Sequence, residues 1–407
     1  MTRIAPRPVR HLSMLLASTA LMMGYSQMSI AAEPAAKAPA SAPADANPLL
    51  APWTGPYEGV PPWDKLDPDL FPDAFEKGMA EVKAEVQAVI DNPAAPTFEN
   101  THVPMQPAGE TMDRVFAMWG VQTSNKSNDR VEDIDAEWSP KLTKFYTELF
   151  LDPKLFARYK AVYDARLTSG LNAQQIRIVE RSYDEMVRDG ANLPPADKAK
   201  LVDMNAKLEG LFSTFSSKLL GDEKLYIFVT DKAELDGLPA GFVASLAAAA
   251  EAQGKPGQWA IKNTRSSAQP VLQNATNRAL REKVWRAFVN RGDNGDANDT
   301  NATIAEILKL RQARAELLGF PTHADYRMAD TMAKTPANAM ALMMKVWPAA
   351  VARVHEEVAD MQAIADAEAK AGKGPKITIE PWDYRFYAEK VRKAKYDLDE
   401  SEVKPYL

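Results

Sequence analysis

The sequence contains no cysteine among its 407 residues, and it contains only four histidines, at positions 11, 102, 323 and 355. Without cysteine the protein has no disulfide bonds, so its fold must be stabilised by a core of packed side chains. The same absence excludes cysteine nucleophiles and thiolate ligands for a metal ion. Histidines and carboxylates are therefore the side chains to search for a metal site.

Basic residues are fewer than acidic residues. The chain has 49 Lys and Arg against 55 Asp and Glu, which gives a formal net charge of −6. An acidic protein of this kind is a poor partner for a phosphate backbone, so we predict no nucleic-acid partner. The hydrophobic fraction of 46% and the charged fraction of 26% are typical of a soluble globular protein, and the length suggests two or three domains.

We interpret residues 1–32 as a signal peptide. A basic segment, residues 1–10, precedes a short apolar run at residues 12–25, and small residues follow. The run is shorter than the roughly 20 residues that span a membrane. We expect cleavage near Ala31 or Ala32, export to a bacterial periplasm and no stable membrane anchor after cleavage. An uncleaved N-terminal anchor is the alternative.

The rest of the chain divides by composition and periodicity. Residues 33–47, EPAAKAPASAPADAN, are rich in Ala and Pro and offer no hydrophobic face, so we predict a disordered tether. Helical spacing of apolar residues then predicts a mainly α protein. We predict an N-terminal helical domain over residues 48–272 and a second, strongly helical region over residues 273–407.

Local patterns predict several elements. Apolar spacing over residues 75–90 predicts a helix that ends before Asp91. Asn172 and Gln175 have the spacing of a capping box and predict a helix start. Strand signals are few, but LYIFV at residues 225–229 and WAI at residues 259–261 predict a pair of strands, which gives a small β element near residues 225–262.

A further helix is predicted to be buried on two sides and to end at Gly319, with Pro321 beyond. Its two apolar faces are Ile304, Ile307, Leu308 and Leu318 on one side and Leu310, Ala313 and Leu317 on the other.

Histidine spacing argues against a zinc site in this chain. VHEEVADMQ, residues 354–362, begins like a zinc-binding helix, but Ala359 stands four residues after His355, where a second histidine is required. We interpret His355 as a surface histidine on a solvated helix. His102 and His323 lie in loop-like contexts, and we interpret them as turn or packing residues. Local patterns thus identify no catalytic, cofactor-binding or metal-binding residue.

Four arginines, at positions 278, 281, 286 and 291, follow one another closely. They have two interpretations: they grip an anionic group, or they pair with neighbours such as Glu282 and cap helix ends.

Residues 277–336 resemble the opening of the catalytic region of thimet-type oligopeptidases, a family of zinc metallopeptidases. The matching features are Arg278 with Arg281, the turn at residues 290–292, and the segment LKLRQARAELLGF. MAKTP and WDYRFYAEKVRKAKYDLDESEVKPYL are further segments of this kind. Upstream, NPLLAPW, PPWDKL and PTFENT resemble the bacterial peptidyl-dipeptidase branch. The resemblance covers residues 47–407.

The resemblance implies an elongated, two-lobed helical metallopeptidase with a deep channel and one zinc ion. It implies hydrolysis of short peptides with release of C-terminal dipeptides, and a monomer when the protein is complete. In the family, the zinc helix lies C-terminal to the segment ending KPYL, where this chain stops. We therefore expect residues 273–407 to be the truncated start of the catalytic domain, with no metal ligand or catalytic residue in this chain. This chain alone is then expected to be inactive.

A different class of function remains open. The chain is alternatively a non-catalytic helical protein of the periplasm that binds peptides or serves as a scaffold. Exposure of a large apolar face would favour the truncated peptidase over this alternative.

Overall fold

The computed structural model of the protein describes residues 47–57 and 59–396. The predicted signal peptide, almost all of the predicted tether and the segment after residue 396 lie outside these residues. Asn47, the last residue of the predicted tether, belongs to the fold. Its side chain donates to the carbonyl of Leu70 at 2.8 Å and to the carboxylate of Asp73 at 2.9 Å, and it accepts from the backbone N–H of Leu49.

The described chain is mainly helical, as predicted, with one pair of strands. The helices are α1 (Phe71–Ile90), α2 (Glu110–Asn125), α3 (Asp129–Phe150), α4 (Pro153–Ala165), α5 (Ala173–Arg188), α6 (Pro195–Glu223), α7 (Ala240–Ala252), α8 (Arg265–Asn274), α9 (Arg278–Val289), α10 (Asn301–Leu317), α11 (His323–Met328), α12 (Pro336–Lys370) and α13 (Tyr384–Tyr396). The strands are β1 (Tyr226–Val229) and β2 (Trp259–Lys262).

Helix α1 confirms the helix predicted from apolar spacing. It ends at Ile90, and Asp91 caps it, as the sequence indicated. Its buried face recurs every three to four residues and packs against aromatic residues of α2 and α3. The ring of Phe75 lies 5.6 Å from that of Trp119 and 5.5 Å from that of Trp138. These contacts form the centre of one apolar core.

The capping box at the start of α5 is also confirmed. The side chain of Asn172 accepts from the backbone N–H of Gln175 at 3.0 Å, and the side chain of Gln175 accepts from the backbone N–H of Asn172 at 3.0 Å. Each bond satisfies an N–H group that lacks a partner within the helix.

The two predicted strands pair antiparallel, with Tyr226 opposite Lys262 and Val229 opposite Trp259. Helix α7 connects them, and its buried residue Leu246 packs into the same core as Val229 and Ile261. The small β element near residues 225–262 is therefore confirmed.

Helix α10 departs from its predicted burial on two sides. Ile304 is 38% exposed and Leu308 is 57% exposed, so the prediction is wrong for the first half of the helix. The buried stripe instead includes Thr303 and Arg314 together with Ile307. A polar side chain tolerates burial when it is hydrogen-bonded, and a pattern of apolar residues alone therefore misplaces the buried face.

The described chain divides into two compact units. The first contains the residues up to Ser213 with Lys309–Tyr326, and the second contains Thr214–Leu308 with the residues from Arg327 onward. Each unit has its own buried apolar clusters. The predicted domain boundary between residues 272 and 273 stays a prediction. None of the helices described in residues 47–396 is both long enough and apolar enough to cross a membrane.

Helix α12 differs along its length. Met361 and Ala365, in its second half, pack against Phe386 and Tyr387 of α13. Every residue from 341 to 350 is exposed, although this stretch is largely apolar. We call the large apolar side chains here the α12 apolar segment; they are Met340, Leu342, Met343, Met344, Val346 and Trp347.

Candidate functional site

His102 is a packing residue, as the sequence indicated. It ends the π-helical turn Phe98–His102, and 2% of its surface is exposed. Its ring stacks on Phe98 at 5.5 Å and meets the edge of Tyr159 at 4.5 Å. Burial lowers the pKa of His102 to about 4, because a charged imidazole is disfavoured away from water. His102 is therefore neutral at pH 7.

The other two described histidines lie on different helices. His323 begins the short helix α11, and its ring lies 6.2 Å from that of Tyr326. His355 is exposed on α12, and the neighbouring Glu356 pairs with Arg353 at 2.9 Å. The exposure of His355 agrees with its interpretation as a surface histidine on a solvated helix.

A zinc ion of the kind implied by the resemblance needs three protein ligands or more. Within the part of the chain that the structure describes, no group of three or more His, Asp or Glu side chains could hold a metal ion. The described residues therefore do not fit a zinc ion. That the whole chain lacks metal and catalytic residues stays a prediction.

Two of the four candidate arginines converge on one buried carboxylate. Arg278 donates from Nη2 to Asp383 at 2.8 Å, and Arg281 donates from Nη2 to the other carboxylate oxygen at 2.8 Å. Asp383 is fully buried and Arg281 is 2% exposed. The guanidinium of Arg281 also lies 4.1 Å from the centre of the Phe386 ring. This cluster fixes the start of α13 against α9.

The charge of Asp383 results from two opposing effects. Burial raises the pKa of Asp383, but hydrogen bonds from Arg278 and Arg281, with one from the backbone N–H of Glu380, outweigh it and hold the pKa below its ordinary value. The carboxylate is ionised at neutral pH. The cluster is therefore a closed structural ion pair, and Arg278 and Arg281 are already occupied.

The remaining two arginines are also paired. Arg286 lies 2.8 Å from Glu282, the partner that the sequence suggested, and Arg291 pairs with Glu223. Pairing with a sequence neighbour is therefore confirmed for Arg286, whereas Arg291 pairs with a residue 68 positions away. The structure does not bring the four arginines together around one anion site.

The turn at residues 290–292 is held by a buried acid. Asp222, which is fully buried, accepts from the backbone N–H of Gly292 at 2.7 Å and from the side chains of Asn294 and Asn298. Gly292 has φ of +75°, and a Cβ there would lie 2.9 Å from both Leu219 and Thr300. The Asn, Asp and Gly residues of this loop serve its own conformation.

A cleft of about 600 Å³ opens where α8, α9 and α13 meet. We call it the α13 cleft. Apolar walls are provided by Leu272 of α8, Trp285 of α9 and Ala388 of α13, and charged groups by Arg385 and Glu389 of α13. An apolar cleft with a few charged groups is the usual form of a small-ligand site. The α13 cleft is therefore a candidate binding site in the second unit.

Neither Asp383 nor the α13 cleft is evident from local sequence patterns. Asp383 meets Arg278 across 105 positions in the sequence, and no local spacing predicts such a contact. The one available signal was WDYRFY, a segment singled out for its resemblance, in which the buried acid stands directly before α13.

Comparison with known proteins agrees with the resemblance. Residues 271–407 match the family described as Peptidase family M3. The chain is 37% identical over 321 residues to dipeptidyl carboxypeptidase of Escherichia coli K12, an alignment that covers 79% of this chain and 46% of that protein. It is 27% identical over 356 residues to oligopeptidase A of the same organism, covering 86% of this chain and 51% of that protein.

The similar proteins are about twice as long as the matched part. Dipeptidyl carboxypeptidase of Salmonella typhimurium LT2 is 35% identical over 322 residues, and the match covers 47% of its length. The chain thus spans about half the length of the curated relatives it matches. Its matched region begins just before the Arg278–Arg281–Asp383 cluster and includes the α13 cleft. The family match over its C-terminal third and the identity of 35–37% to two dipeptidyl carboxypeptidases identify the chain as a member of peptidase family M3.

Proposed function

We propose that the protein acts as a zinc-dependent peptidase of the M3 type, which hydrolyses short peptides and releases dipeptides from their C-termini. One observation carries this proposal: the identity of 37% over 321 residues to a protein named dipeptidyl carboxypeptidase. The lower identity of 27% to oligopeptidase A favours the dipeptide-releasing branch over the branch named for oligopeptides.

In such an enzyme, we propose that the residues that hold zinc and the residues that bind the peptide lie in different parts of the sequence. The described residues do not fit a zinc ion, and the match covers about half of the relatives' length. We propose that the zinc ligands belong to sequence that corresponds to the unmatched half of the relatives. Residues 47–396 then supply helical walls that bind and orient the peptide, and this chain alone neither holds zinc nor cleaves peptides.

The proposal extends to location and partners. The signal-peptide pattern of residues 1–32 supports export to the periplasm, where short peptides are the substrates. The net charge of −6 supports the absence of a nucleic-acid partner. We propose that the complete protein is a monomer without a membrane anchor.

The test is a cleavage assay on the product of the complete gene. An N-acetylated tetrapeptide with a free C-terminus and the same peptide with a C-terminal amide are incubated with the protein, and the products are identified by mass spectrometry. We expect a C-terminal dipeptide from the free acid and much slower cleavage of the amide. A chelator is expected to abolish cleavage, and added zinc to restore it.

Two outcomes would contradict the proposal in different ways. Equal cleavage of the acid and the amide, at internal bonds, would retain a peptidase and reject dipeptide release. Tight peptide binding without any cleavage in the presence of zinc would favour the non-catalytic peptide-binding or scaffold protein instead.

A further inference from the structure

Among the described residues, the α13 cleft is lined by two positive side chains, Arg385 and Arg392, and one negative side chain, Glu389. Arg385, Glu389 and Arg392 lie on one face of α13, because residues four and seven positions apart share a face of a helix. Glu389 is held by Arg392, whose Nε and Nη2 atoms each donate to it at 2.7 Å. Gln273 of α8 donates to the same carboxylate at 3.3 Å. Glu389 is thus neutralised by partners that do not include Arg385.

Because Glu389 is engaged by other partners, Arg385 does not form an ion pair with it. Glu389 stands four residues after Arg385, the spacing at which a helical ion pair normally forms. Hydrogen bonds from Arg392 lower the pKa of Glu389, so Glu389 is charged but already engaged. Among the described residues no carboxylate lies within ion-pair distance of Arg385, and Arg385 is an exposed residue that lines the cleft. Arg385 can therefore receive an external anion.

The walls of the cleft define the rest of the ligand. Leu272, Pro381 and Ala388 present apolar surface, and Trp285 adds an indole ring. A volume of about 600 Å³ lies within the range of sites for small molecules. A guanidinium donates two parallel hydrogen bonds to a carboxylate, which gives it a geometric preference for that group. The matching ligand carries one carboxylate next to an apolar group.

We infer that the α13 cleft binds the free C-terminal carboxylate and the apolar last side chain of a short peptide, with Arg385 as the partner of the carboxylate. The choice of a peptide as the ligand rests on the proposed function, whereas the charge and shape of the cleft do not. Arg385 is a binding residue in this inference, and no bond is made or broken in the cleft.

The test is isothermal titration of the 407-residue protein with N-acetyl-Ala-Leu as the free acid and as the C-terminal amide. We expect the acid to bind at least about tenfold more tightly than the amide, since charge-assisted hydrogen bonds are about twice as strong as neutral ones. Arg385→Gln is expected to weaken binding of the acid about tenfold and to leave binding of the amide unchanged. Arg385→Lys should retain part of the preference, because it keeps the charge without the planar fork.

Two further variants make the result specific to the cleft. Arg286→Gln removes an exposed arginine of α9 that pairs with Glu282, and it should not change the affinity for the acid. Ala388→Trp fills the cleft and should abolish binding of both ligands. The circular dichroism spectrum of each variant shows whether it is folded.

The inference is overturned if the wild-type protein binds neither ligand, if the acid and the amide bind equally, or if Arg385→Gln binds the acid like the wild type. The binding assay does not require hydrolysis, so the two proposals fail separately. Cleavage by the complete protein together with cleft binding that ignores Arg385 would reject this inference alone. Binding that depends on Arg385, together with no cleavage by the complete protein in the presence of zinc, would reject the peptidase and keep the cleft.

Discussion

His102 is a buried histidine whose charge state links folding to pH. It lies between Phe98 and Tyr159, and its Nε2 atom has no hydrogen-bond partner in the described chain. Burial lowers its pKa from the ordinary 6.5 to about 4. Between these values the unfolded chain binds a proton that the folded chain does not, so lowering the pH favours unfolding.

We therefore predict that His102 stabilises the fold above pH 6.5 and that this contribution is lost as the pH falls towards 4. The loss amounts to about 3 kcal/mol over the whole interval, since one pKa unit corresponds to about 1.4 kcal/mol. The measurement is the free energy of unfolding by urea at several pH values, for the wild type and for His102→Phe. The difference between the two should change across this interval, whereas His355→Gln, at an exposed position, should follow the wild type.

Glu209 changes the free energy of unfolding with pH in the direction opposite to His102, so the two effects must be measured separately. It is 7% exposed on α6, and burial, with the nearby charge of Asp135, raises its pKa to about 7. A raised carboxyl pKa gives stability that is present below the ordinary value of 4.5 and is lost as the pH rises through 7. Glu209→Gln is expected to remove this second dependence of the free energy of unfolding on pH. If the double variant with His102→Phe still shows the acid-side loss, His102 is not its source.

We expect the buried carboxylate of Asp383 to contribute more to the free energy of unfolding than an exposed carboxylate does. Replacement by Asn leaves Arg281 buried without an anionic partner, and breaking a buried ion pair in this way costs about 3 kcal/mol or more. We predict that Asp383→Asn lowers the free energy of unfolding by this amount. Glu356→Gln, which breaks the exposed pair with Arg353, should change it little. Equal effects of the two variants, measured by urea unfolding, would show that the buried cluster is not a special stabilising contact.

Helices and strands with strong local patterns were predictable from the sequence. The apolar stripe of α1, the capping box of α5 and the strand pair β1–β2 all depend on residues within a few positions of one another. The buried face of α10 was not predictable from apolar residues, because Thr303 and Arg314 occupy it. The side chain of Arg314 donates to that of Asn205 at 3.0 Å, a partner 109 positions away. Such long-range polar contacts leave no periodic signal.

The first half of α12 is apolar on all sides, which is typical of a buried helix. Its large side chains are nonetheless 52–65% exposed from Met340 to Trp347, and Lys345 is the single charged residue among them. Soluble monomers rarely expose so much contiguous apolar surface.

We predict that the 407-residue protein binds a hydrophobic dye and self-associates with increasing concentration through the α12 apolar segment. Leu342→Glu with Val346→Glu places two charges one helical turn apart in this segment, and it should lower dye fluorescence and light scattering several-fold. Ala84→Glu, at an exposed position of α1, adds a charge elsewhere and should change neither signal. A double variant that associates like the wild type would show that another surface is responsible.

Whether the protein binds a zinc ion is a question about the whole 407-residue chain. A similar protein is named dipeptidyl carboxypeptidase. Residues 47–57 and 59–396 nonetheless contain no group of three His, Asp or Glu side chains that could hold a metal ion. His102 is enclosed by Phe98 and Tyr159, and His355 lies on an exposed helix without a second histidine one turn away. These histidines lie on separate elements of the fold.

We therefore predict that the 407-residue protein, dialysed against a chelating resin and then supplied with zinc, retains much less than one ion per chain after gel filtration. Elemental analysis by mass spectrometry measures the ratio, and a thermal scan with and without zinc provides an independent readout, because an ion that binds the folded state alone raises the melting temperature. Retention of one ion with a rise in melting temperature would contradict the prediction. Variants His102→Phe, His323→Gln and His355→Gln would then identify the ligands, since loss of any true imidazole ligand should remove both signals.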